Sequence, residues 1–209
     1  MIAWERIKVL VIDMDNTLCD TYHTLTMRQW HRVASVFEKR GRKDVARAFR
    51  KGVGKRSFVN VLDGLKLSSA ERRLAVKTYN QNPVTTLTLF PDARPLLRVP
   101  IRKVLLSRGA PDLQRRKIRH LGIRSRFDEV VIVGTFGKKT TALARILRRF
   151  DARPSEVLVI GDRLEEEIAD AKRLRMPAVL VRRKDLPVAR CSVQPDLIVR
   201  SLATIAKKL

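Results

Sequence analysis

The chain has 209 residues and a mass of 24.0 kDa; 44% of its residues are hydrophobic and 32% are charged. This composition is typical of a globular protein and excludes disordered, collagen-like and low-complexity chains. The length is enough for one domain with a hydrophobic core, with or without a modest insertion. The charge is unusual, because 45 lysines and arginines against 21 aspartates and glutamates give a net charge of +24.

The positive charge is unevenly distributed. Residues 1–20 contain two basic and four acidic side chains, residues 21–90 contain fifteen and four, and residues 91–209 contain twenty-eight and thirteen. A strongly basic surface favours anionic partners such as phosphates and nucleic acid, so nonspecific nucleic-acid binding is one expectation. A solvated basic surface without a partner is the alternative, since net charge bears on association and not on fold.

The number of cysteines and the length of the apolar runs indicate the cellular compartment in which the protein is expected. Cys19 and Cys191 are too few and too far apart in sequence to indicate a disulfide framework or a zinc site, which favours a reduced, cytoplasmic setting. The longest apolar run near the start, residues 9–12, ends at Asp13, so neither a secretory signal nor a membrane span is predicted there. No membrane partner is expected, and the sequence does not specify an oligomeric state.

Short apolar runs predict the strands of a sheet. Runs without alternation of apolar and polar residues are typical of strands buried on both faces, as in a parallel sheet. Helices are predicted between them, with Pro and Gly near their starts and ends. This alternation predicts a three-layer, Rossmann-like α/β fold with a mostly parallel sheet. The predicted strands are residues 7–12, 101–106, 130–133, 157–160, 179–181 and 197–199, and the helices are residues 110–121, 139–150, 164–174 and 201–209.

Residues 21–90 interrupt this alternation, because no comparable strand occurs there and the apolar residues recur at helical spacing. We therefore expect a core domain of residues 1–20 and 91–209 and a small all-helical domain of residues 21–90. Trp30 is expected to pack in the core of the helical domain. Two apolar helix faces are predicted there: one consists of Leu25, Trp30, Val33, Ala34 and Phe37, the other of Phe58, Val59, Leu62 and Leu65.

Polar side chains follow four of the predicted strands. Ligand sites in open parallel sheets form beyond the carboxyl ends of the strands, so these side chains are expected to meet at one edge. Together they provide three carboxylates, a hydroxyl and a lysine. The residues are Asp13 and Asp15 after the first strand, Ser107 after the second, Lys138 and Lys139 after the third, and Asp162 after the fourth.

This set of side chains suits phosphoryl transfer. Clustered aspartates raise each other's pKa unless a cation lies among them, and oxygen ligands favour a hard ion such as Mg²⁺. A lysine would neutralise phosphoryl charge, and a hydroxyl would orient a phosphoryl oxygen. Structural roles are the alternative: Asp13 and Asp15 could cap a loop, and Ser107 and Asp162 could each cap a helix. Two carboxylates at the end of an apolar strand are costly to bury without a ligand, which favours function.

The same residues resemble the four motifs of the haloacid dehalogenase-like hydrolase superfamily. The motifs occur in the family's order, each after a predicted strand, and the resemblance covers about residues 7–186. The helical insertion directly after the first motif is similar to a small helical cap of this family. The matching positions are residues 13–18 with Asp20 and Thr21 for the first motif, Ser107 for the second, Lys139 for the third, and Gly161-Asp162 through Glu167 for the fourth.

The resemblance implies a phosphatase that works through an aspartyl-phosphate. Asp13 would be the nucleophile, and Asp15 would protonate the leaving alkoxide and later activate water. Members of the superfamily that cleave carbon–halogen bonds lack this second acid. Ser107 would hold the phosphoryl group, and Lys139 would stabilise its negative charge. Thr17 would contact the substrate.

The resemblance also implies a Mg²⁺ cofactor, bound by Asp13, by the backbone carbonyl of Asp15 and by Asp162. An acidic residue of the fourth motif would support the metal. The family usually has Asp at this position, whereas the chain offers Glu165, Glu166 and Glu167, of which Glu167 has the expected spacing. Acidic residues are also favoured in a first helical turn for structural reasons.

Two further positions differ from the family pattern and leave alternatives open. The third-motif lysine is doubled, so Lys138 remains an alternative to Lys139. Arg108 follows Ser107, where the family usually has a small or neutral residue. It could contact a second anionic group of the substrate or point to solvent.

The cap selects the substrate in this family, and here it is strongly basic. Basic residues cluster around Gly52 and Gly54, and a glycine-containing loop with several cations is a candidate phosphate cradle. A solvated charged face is the alternative. The cluster contains Arg47, Arg50, Lys51, Lys55 and Arg56, of which Arg50, Lys51 and Lys55 are the candidate substrate-binding residues.

The first functional hypothesis is a Mg²⁺-dependent phosphatase for a small phosphorylated metabolite, such as a phosphosugar, a phosphoglycolate-like acid or a nucleotide. Alternatives are a phosphatase for nucleic-acid phosphate ends, a nucleic-acid-binding protein that uses the hydrolase fold as a scaffold, and a mutase. The intact set of carboxylates argues against a scaffold. Aromatic residues make up only 5% of the chain, which provides few stacking platforms for nucleic acid.

Overall fold

A computed structural model describes residues 2–53, 57–81, 83–184, 186 and 192–209. The chain forms two compact units, one of Met1–Asp20 with Thr88–Leu209 and one of Thr21–Leu87. The boundary after Leu87 lies three residues before the expected one. Phe90 belongs to the first unit, where its backbone N–H donates to the Leu18 carbonyl (2.9 Å).

The first unit contains a six-stranded sheet in the order β3-β2-β1-β4-β5-β6, and all neighbouring strands are parallel. This arrangement confirms the predicted Rossmann-like α/β fold. The strands are β1 (Val9–Ile12), β2 (Arg102–Arg108), β3 (Glu129–Val133), β4 (Val157–Gly161), β5 (Ala178–Val181) and β6 (Leu197–Val199).

Burial in the sheet follows the position of each strand. Strand β1 lies between β2 and β4, with Val9 opposite both Arg102 and Val157, and every residue of β1, β4 and β5 is buried. The expectation of burial on both faces was wrong for β3, where only Val131 is buried. Strand β3 is an edge strand with one neighbour, so less of its surface is covered.

Helices connect the strands, and two of them differ from the helices predicted from the sequence. Residues 164–174 form a π-helical turn (Leu164–Ile168) followed by a short α-helix, whereas one helix was predicted. The final helix has only four residues. Single π-helical turns are frequent at functional sites. The helices of this unit are α5 (Ala93–Arg98), α6 (Pro111–His120), α7 (Lys139–Arg149), α8 (Ala169–Arg173) and α9 (Ala203–Ala206), with 3₁₀ turns at Trp4–Arg6, Arg124–Arg126 and Pro154–Glu156.

The second unit is helical in the residues that the structure describes. Trp30 is buried in its core, as expected, and makes edge-on contacts with Phe49 and Phe58. The second apolar face differs from the prediction, because Val61 is buried whereas Val59 is only half-buried. The elements are a π-helical turn (Tyr22–Thr26) and helices α1 (Met27–Glu38), α2 (Lys43–Gly52), α3 (Phe58–Asp63) and α4 (Ser69–Asn80).

Cys19 is buried, and its Sγ donates a hydrogen bond to the Met14 carbonyl (3.5 Å). Cys191 lies outside the described residues. None of the helices in the described part of the chain is both long and apolar enough to cross a membrane.

Candidate active site

Strand β1 carries two carboxylates into the loop at its carboxyl end. The Asp13 N–H donates to the Ile160 carbonyl of β4 (2.9 Å), so the strand ladder holds its backbone, and Asp13 is buried. Asp15 follows two residues later and is half-buried. Asn16 has a φ of 58°, a left-handed conformation that asparagine tolerates better than most residues. The loop thereby turns back, and the Leu18 N–H bonds the Met14 carbonyl (2.9 Å).

Lys139, the first residue of α7, reaches into this edge of the sheet. Its Nζ lies 2.6 Å from Asp13 Oδ1 and also forms an ion pair with Glu167. All three side chains are buried. Lys138 is exposed. Of the doubled lysine, Lys139 is therefore the one that contacts Asp13.

Asp162 follows β4 at the same edge and is half-buried. It is not a helix cap, because the next turn begins at Leu164 after Arg163 and has no capping side chain. Among the described residues, its carboxylate has no hydrogen-bond or ion-pair partner. Gly161, just before it, leaves room for Glu167, since a Cβ at this position would lie 2.9 Å from Glu167 Cγ.

The other two glutamates of the fourth motif pair with arginines. Glu166 forms an ion pair with Arg108, and Arg163 Nε lies 3.2 Å from the same glutamate oxygen. Glu165 is exposed and lies 2.9 Å from Arg163 Nη2. Two roles were considered for Arg108 from the sequence: contact with a second anionic group of the substrate, and exposure to solvent. In the structure its guanidinium instead pairs with Glu166.

Ser107 lies within β2, opposite Ile132 of β3, and is fully buried. It does not cap a helix, because α6 begins at Pro111 with Ala110 at its N-cap. The Ser107 Oγ accepts a hydrogen bond from Gln114 Nε2 of α6.

Sequence reasoning missed Gln114 and Lys117, which both contact Asp15. Lys117 Nζ lies 2.9 and 3.0 Å from the two carboxylate oxygens of Asp15, and Gln114 Nε2 lies 2.9 Å from Oδ2. Both side chains are buried although α6 is rich in charge. Their three-residue spacing places both on one face of the helix that follows Ser107, and this spacing was the only indication in the sequence. A single lysine is not distinctive in so basic a chain, so the pattern did not single them out.

Thr17 is fully buried, and within the described residues its Oγ1 has no hydrogen-bond partner. Its backbone carbonyl accepts from Arg183 Nη2 (2.6 Å), whose Nη1 lies 2.7 Å from Asp92. The Arg183 guanidinium also lies 4.0 Å from the centre of the Phe90 ring. Contact of Thr17 with the substrate stays a prediction, and its buried side chain favours a role in holding the loop.

Burial and mutual repulsion dominate the electrostatics of the site. Burial raises the pKa of Asp13 to about 7; Glu167 and Asp15 add to the rise, whereas Lys139 opposes it. Burial, Glu167 and Asp13 raise the pKa of Asp162 well above its usual range. Burial alone would lower the pKa of Lys139, but Asp13 and Glu167 raise it, so the ammonium remains charged. For Glu167, burial alone would raise the pKa, but the nearby Lys139 ammonium outweighs this effect, so the pKa of Glu167 is lowered.

The metal-free protein is expected to lose stability as the pH rises from about 4 to about 7 because of Asp13. The pKa of this carboxyl is 3.8 ordinarily and about 7 in the folded chain, so the folded state binds more protons between these values. Its free energy of unfolding therefore falls with rising pH in this window. Asp13→Asn removes the dependence, and the variant should exceed the wild type by up to roughly 4 kcal/mol at about pH 8.

Urea unfolding in EDTA at about pH 4 and about pH 8 measures this difference. The two proteins should approach each other at the lower pH, where the Asp13 carboxyl is protonated in the folded state and about half protonated in the unfolded state. A difference that does not change with pH would contradict the raised pKa of Asp13.

The donor set fits a hard divalent cation with few protein ligands. In the part of the chain that the structure describes, no three His, Cys, Asp or Glu side chains converge as in a closed metal cage. Mg²⁺ commonly takes one or two carboxylates and keeps several waters. Asp13 and the unpartnered Asp162, with the Asp15 carbonyl, form a donor set of this size. Lysines engage the side chains of Asp15 and Glu167, and Lys139 also contacts one of the two Asp13 oxygens, Oδ1.

The candidate substrate-binding residues of the helical unit are placed as follows. Arg50 is exposed and lies 3.1 Å from Glu38, which partly neutralises it. Arg47 and Lys51 are exposed on α2. Lys55 lies outside the described residues, as does Arg56.

Known proteins similar to this chain include two curated relatives and a solved structure. A glyceraldehyde 3-phosphate phosphatase from Methanopyrus kandleri is 32% identical over 117 residues (52% of this chain and 50% of the relative). A phosphoserine phosphatase from Thermus thermophilus is 32% identical over 124 residues (56% and 49%). The matches thus span about half the length of each relative.

The solved structure of a haloacid dehalogenase-like hydrolase from Streptococcus pneumoniae superposes with a TM-score of 0.76. The superposition covers 97% of this chain and 98% of the Streptococcus pneumoniae chain. Because the two sequences are only 16% identical, the likeness supports the fold alone. A sequence model described as haloacid dehalogenase-like hydrolase matches residues 7–174, which include every motif position of the candidate site. The resemblance seen in the sequence is thereby confirmed, and the chain belongs to the haloacid dehalogenase-like hydrolase family.

Proposed function

We propose that this hydrolase is a Mg²⁺-dependent phosphatase that acts on a small phosphorylated metabolite through an aspartyl-phosphate. The observation that carries the proposal is the buried Asp13 at the end of the central strand, ion-paired with Lys139 and followed by a second carboxylate, Asp15. A scaffold that only binds ligands would not need a buried lysine between two acidic groups, because burying such charges is costly.

The residues of the candidate site have different roles in the proposed two-step hydrolysis. An Asp13 oxygen attacks phosphorus, the bond from phosphorus to the alcohol oxygen breaks, and Asp15 supplies the proton that the leaving oxygen takes up. Water then attacks phosphorus, Asp15 takes its proton, and phosphate leaves from Asp13. Lys139 keeps Asp13 oriented and neutralises phosphoryl charge. Ser107 would orient a phosphoryl oxygen. When bound by Asp13, Asp162 and the Asp15 carbonyl, Mg²⁺ screens the charge of the phosphate.

The substrate class rests on the relatives and on the helical unit. Both curated relatives are named for small phosphorylated compounds, which supports a metabolite over a nucleic-acid end. We assign substrate selection to the helical unit as the cap, with Lys51 and Lys55 as the cationic contacts. Arg50 is less suited because Glu38 already pairs with it.

Phosphate release from 4-nitrophenyl phosphate and from a panel of natural phosphates tests the proposal. The panel contains phosphoserine, glyceraldehyde 3-phosphate, phosphoglycolate, nucleotides and a 5′-phosphorylated oligonucleotide, each with Mg²⁺ or EDTA. We expect Mg²⁺-dependent release from a small metabolite. Asp162→Asn should raise the Mg²⁺ concentration required, whereas Asp170→Asn, which alters an aspartate paired with Arg173, should not.

Three results would contradict the proposal. Lack of release from every small phosphate with Mg²⁺ present would reject the phosphatase. Release confined to the oligonucleotide would move the substrate class to nucleic-acid ends. Transfer of phosphate between sugar positions without net release would indicate a mutase.

A further inference from the structure

Helix α6 brings a buried lysine to Asp15 that the proposed reaction does not use. Lys117 Nζ lies almost equally far from both carboxylate oxygens of Asp15, at 2.9 and 3.0 Å. The Lys117 side chain is 5% exposed, compared with 26% for Asp15. A buried ion pair of this kind is often no more stabilising than well-packed apolar side chains of similar volume. Stability alone therefore does not account for a lysine at this position.

Gln114, one helical turn before Lys117, links Asp15 to Ser107. Its Nε2 lies 2.9 Å from Asp15 Oδ2 and also contacts Ser107 Oγ and the Arg108 carbonyl (3.3 Å). An amide nitrogen has two hydrogens, so it can bond the carboxylate and the hydroxyl at the same time. In the proposed reaction Asp15 acts on the leaving oxygen and Ser107 on the phosphoryl group. Both side chains thus accept from the same donor, Gln114 Nε2.

The backbone between β2 and α6 fixes this donor. Gly109 follows Arg108, and a Cβ at that position would lie only 3.0 Å from Gln114 Cδ. The absence of a side chain at Gly109 therefore lets Gln114 lie against the backbone. Leu113 and Ile118 are buried and hold the same helix against the sheet.

We propose that Lys117 and Gln114 are positioning residues that hold the Asp15 carboxyl at a fixed distance from the phosphoryl-holding Ser107. This inference rests on the proposed function. An aspartate at a loop can adopt several rotamers, and a general acid works only within hydrogen-bond reach of the leaving oxygen. Lys117 contacts both carboxylate oxygens and so restricts rotation, while Gln114 sets the spacing to Ser107.

The leaving group provides the test. 4-Nitrophenolate leaves without a proton, whereas an alkoxide must be protonated as it departs. If Lys117 acts by placing Asp15, Lys117→Met should lower kcat/KM for the best alkyl phosphate of the panel by about 100-fold, and kcat/KM for 4-nitrophenyl phosphate by less than about 5-fold. The ratio kcat/KM is compared because it reports the steps up to departure of the alcohol, before the attack of water that Asp15 also assists for both substrates. Lys117→Arg, which retains a donor, should recover part of the lost alkyl phosphate activity.

Lys172→Met is the matched control. Lys172 Nζ also contacts both oxygens of an aspartate, Asp196, at 2.8 Å each, but between α8 and the segment before β6. This variant removes a lysine–aspartate pair of the same geometry and should show no difference between the two substrates. Gln114→Leu provides a second variant, which should also lower kcat/KM for the alkyl phosphate more than kcat/KM for the aryl phosphate.

A double-mutant cycle shows whether Lys117 acts through Asp15. In the Asp15→Asn background, Lys117→Met should have no further effect on kcat/KM for the alkyl phosphate. Equal losses of kcat/KM on both substrates, or a full additional loss in that background, would overturn the inference while leaving the phosphatase intact. If Lys117→Met does not fold, equal losses for Gln114→Leu overturn it. If the wild type releases phosphate from neither substrate, the proposed function itself has failed.

Discussion

Asp13→Asn is expected to lower phosphate release by at least about 10⁴-fold, the loss typical when a nucleophile is removed. Asparagine has nearly the same shape as aspartate, but its amide cannot form the aspartyl-phosphate. Asp13 is buried at the end of β1 with Lys139 Nζ 2.6 Å from its Oδ1, so the substitution changes the one carboxylate that Lys139 orients there from β1. Steady-state phosphate release with the best substrate and Mg²⁺ measures the loss.

Asp151→Asn is a suitable control for this substitution. Asp151 is exposed and has a φ of 46°, a conformation that asparagine also tolerates. It should keep full activity. Acid quenching during turnover should trap a phosphorylated chain in the wild type and not in Asp13→Asn. Residual activity of Asp13→Asn above about 1% of the wild type, well beyond the loss expected for a nucleophile, would show that another group attacks phosphorus.

Lys139→Met is expected to reduce both stability and activity. The substitution removes the cation shared by Asp13 and Glu167 and leaves two buried carboxylates without compensation. Breaking a buried ion pair from one side costs about 3–5 kcal/mol of unfolding free energy. Turnover should fall by roughly 10²–10³-fold or more, because the site also loses a preorganised positive charge. Urea unfolding and steady-state kinetics on the same preparations measure the two effects.

The neighbouring lysine makes this experiment specific. Lys138 is exposed, so Lys138→Met removes the same charge one residue earlier and should change neither quantity appreciably. Adding Glu167→Gln to Lys139→Met should restore part of the stability, since one uncompensated carboxylate is gone, but should not restore turnover. If Lys138→Met is the variant that loses activity, the motif lysine has been assigned to the wrong residue.

The fold was largely predictable from the sequence because its signals are local. Uninterrupted apolar runs mark strands whose four or five residues are all buried, such as β1, β4 and β5. The same pattern cannot distinguish an edge strand such as β3, because that depends on which strands become neighbours. The π-helical turn at Leu164–Ile168 was also missed, since helical spacing of apolar residues does not specify which carbonyl each N–H bonds.

The candidate site was predictable only in part. Asp13 follows β1 directly, and Lys139 begins the helix after the loop that follows β3, so the rule for parallel sheets places both at one edge. The choice between Lys138 and Lys139 required the phase of α7, which sequence spacing alone left open. Lys117 and Gln114 were missed because each contacts Asp15 across about a hundred positions of the chain, and such pairs leave no periodic pattern.

The contact between Arg183 and the Thr17 carbonyl has a consequence for the order in which the molecule is built. Arg183 lies beyond β5, outside the segment that matches the family model, yet it fixes the loop that carries Asp13 and Asp15. Chains are synthesised from the amino terminus, and domains generally fold as units once enough of them has emerged. The loop after β1 therefore gains this contact only once Arg183, 166 positions further along the chain, has been synthesised. A nascent polypeptide halted before Arg183 would carry the acidic loop without this anchor.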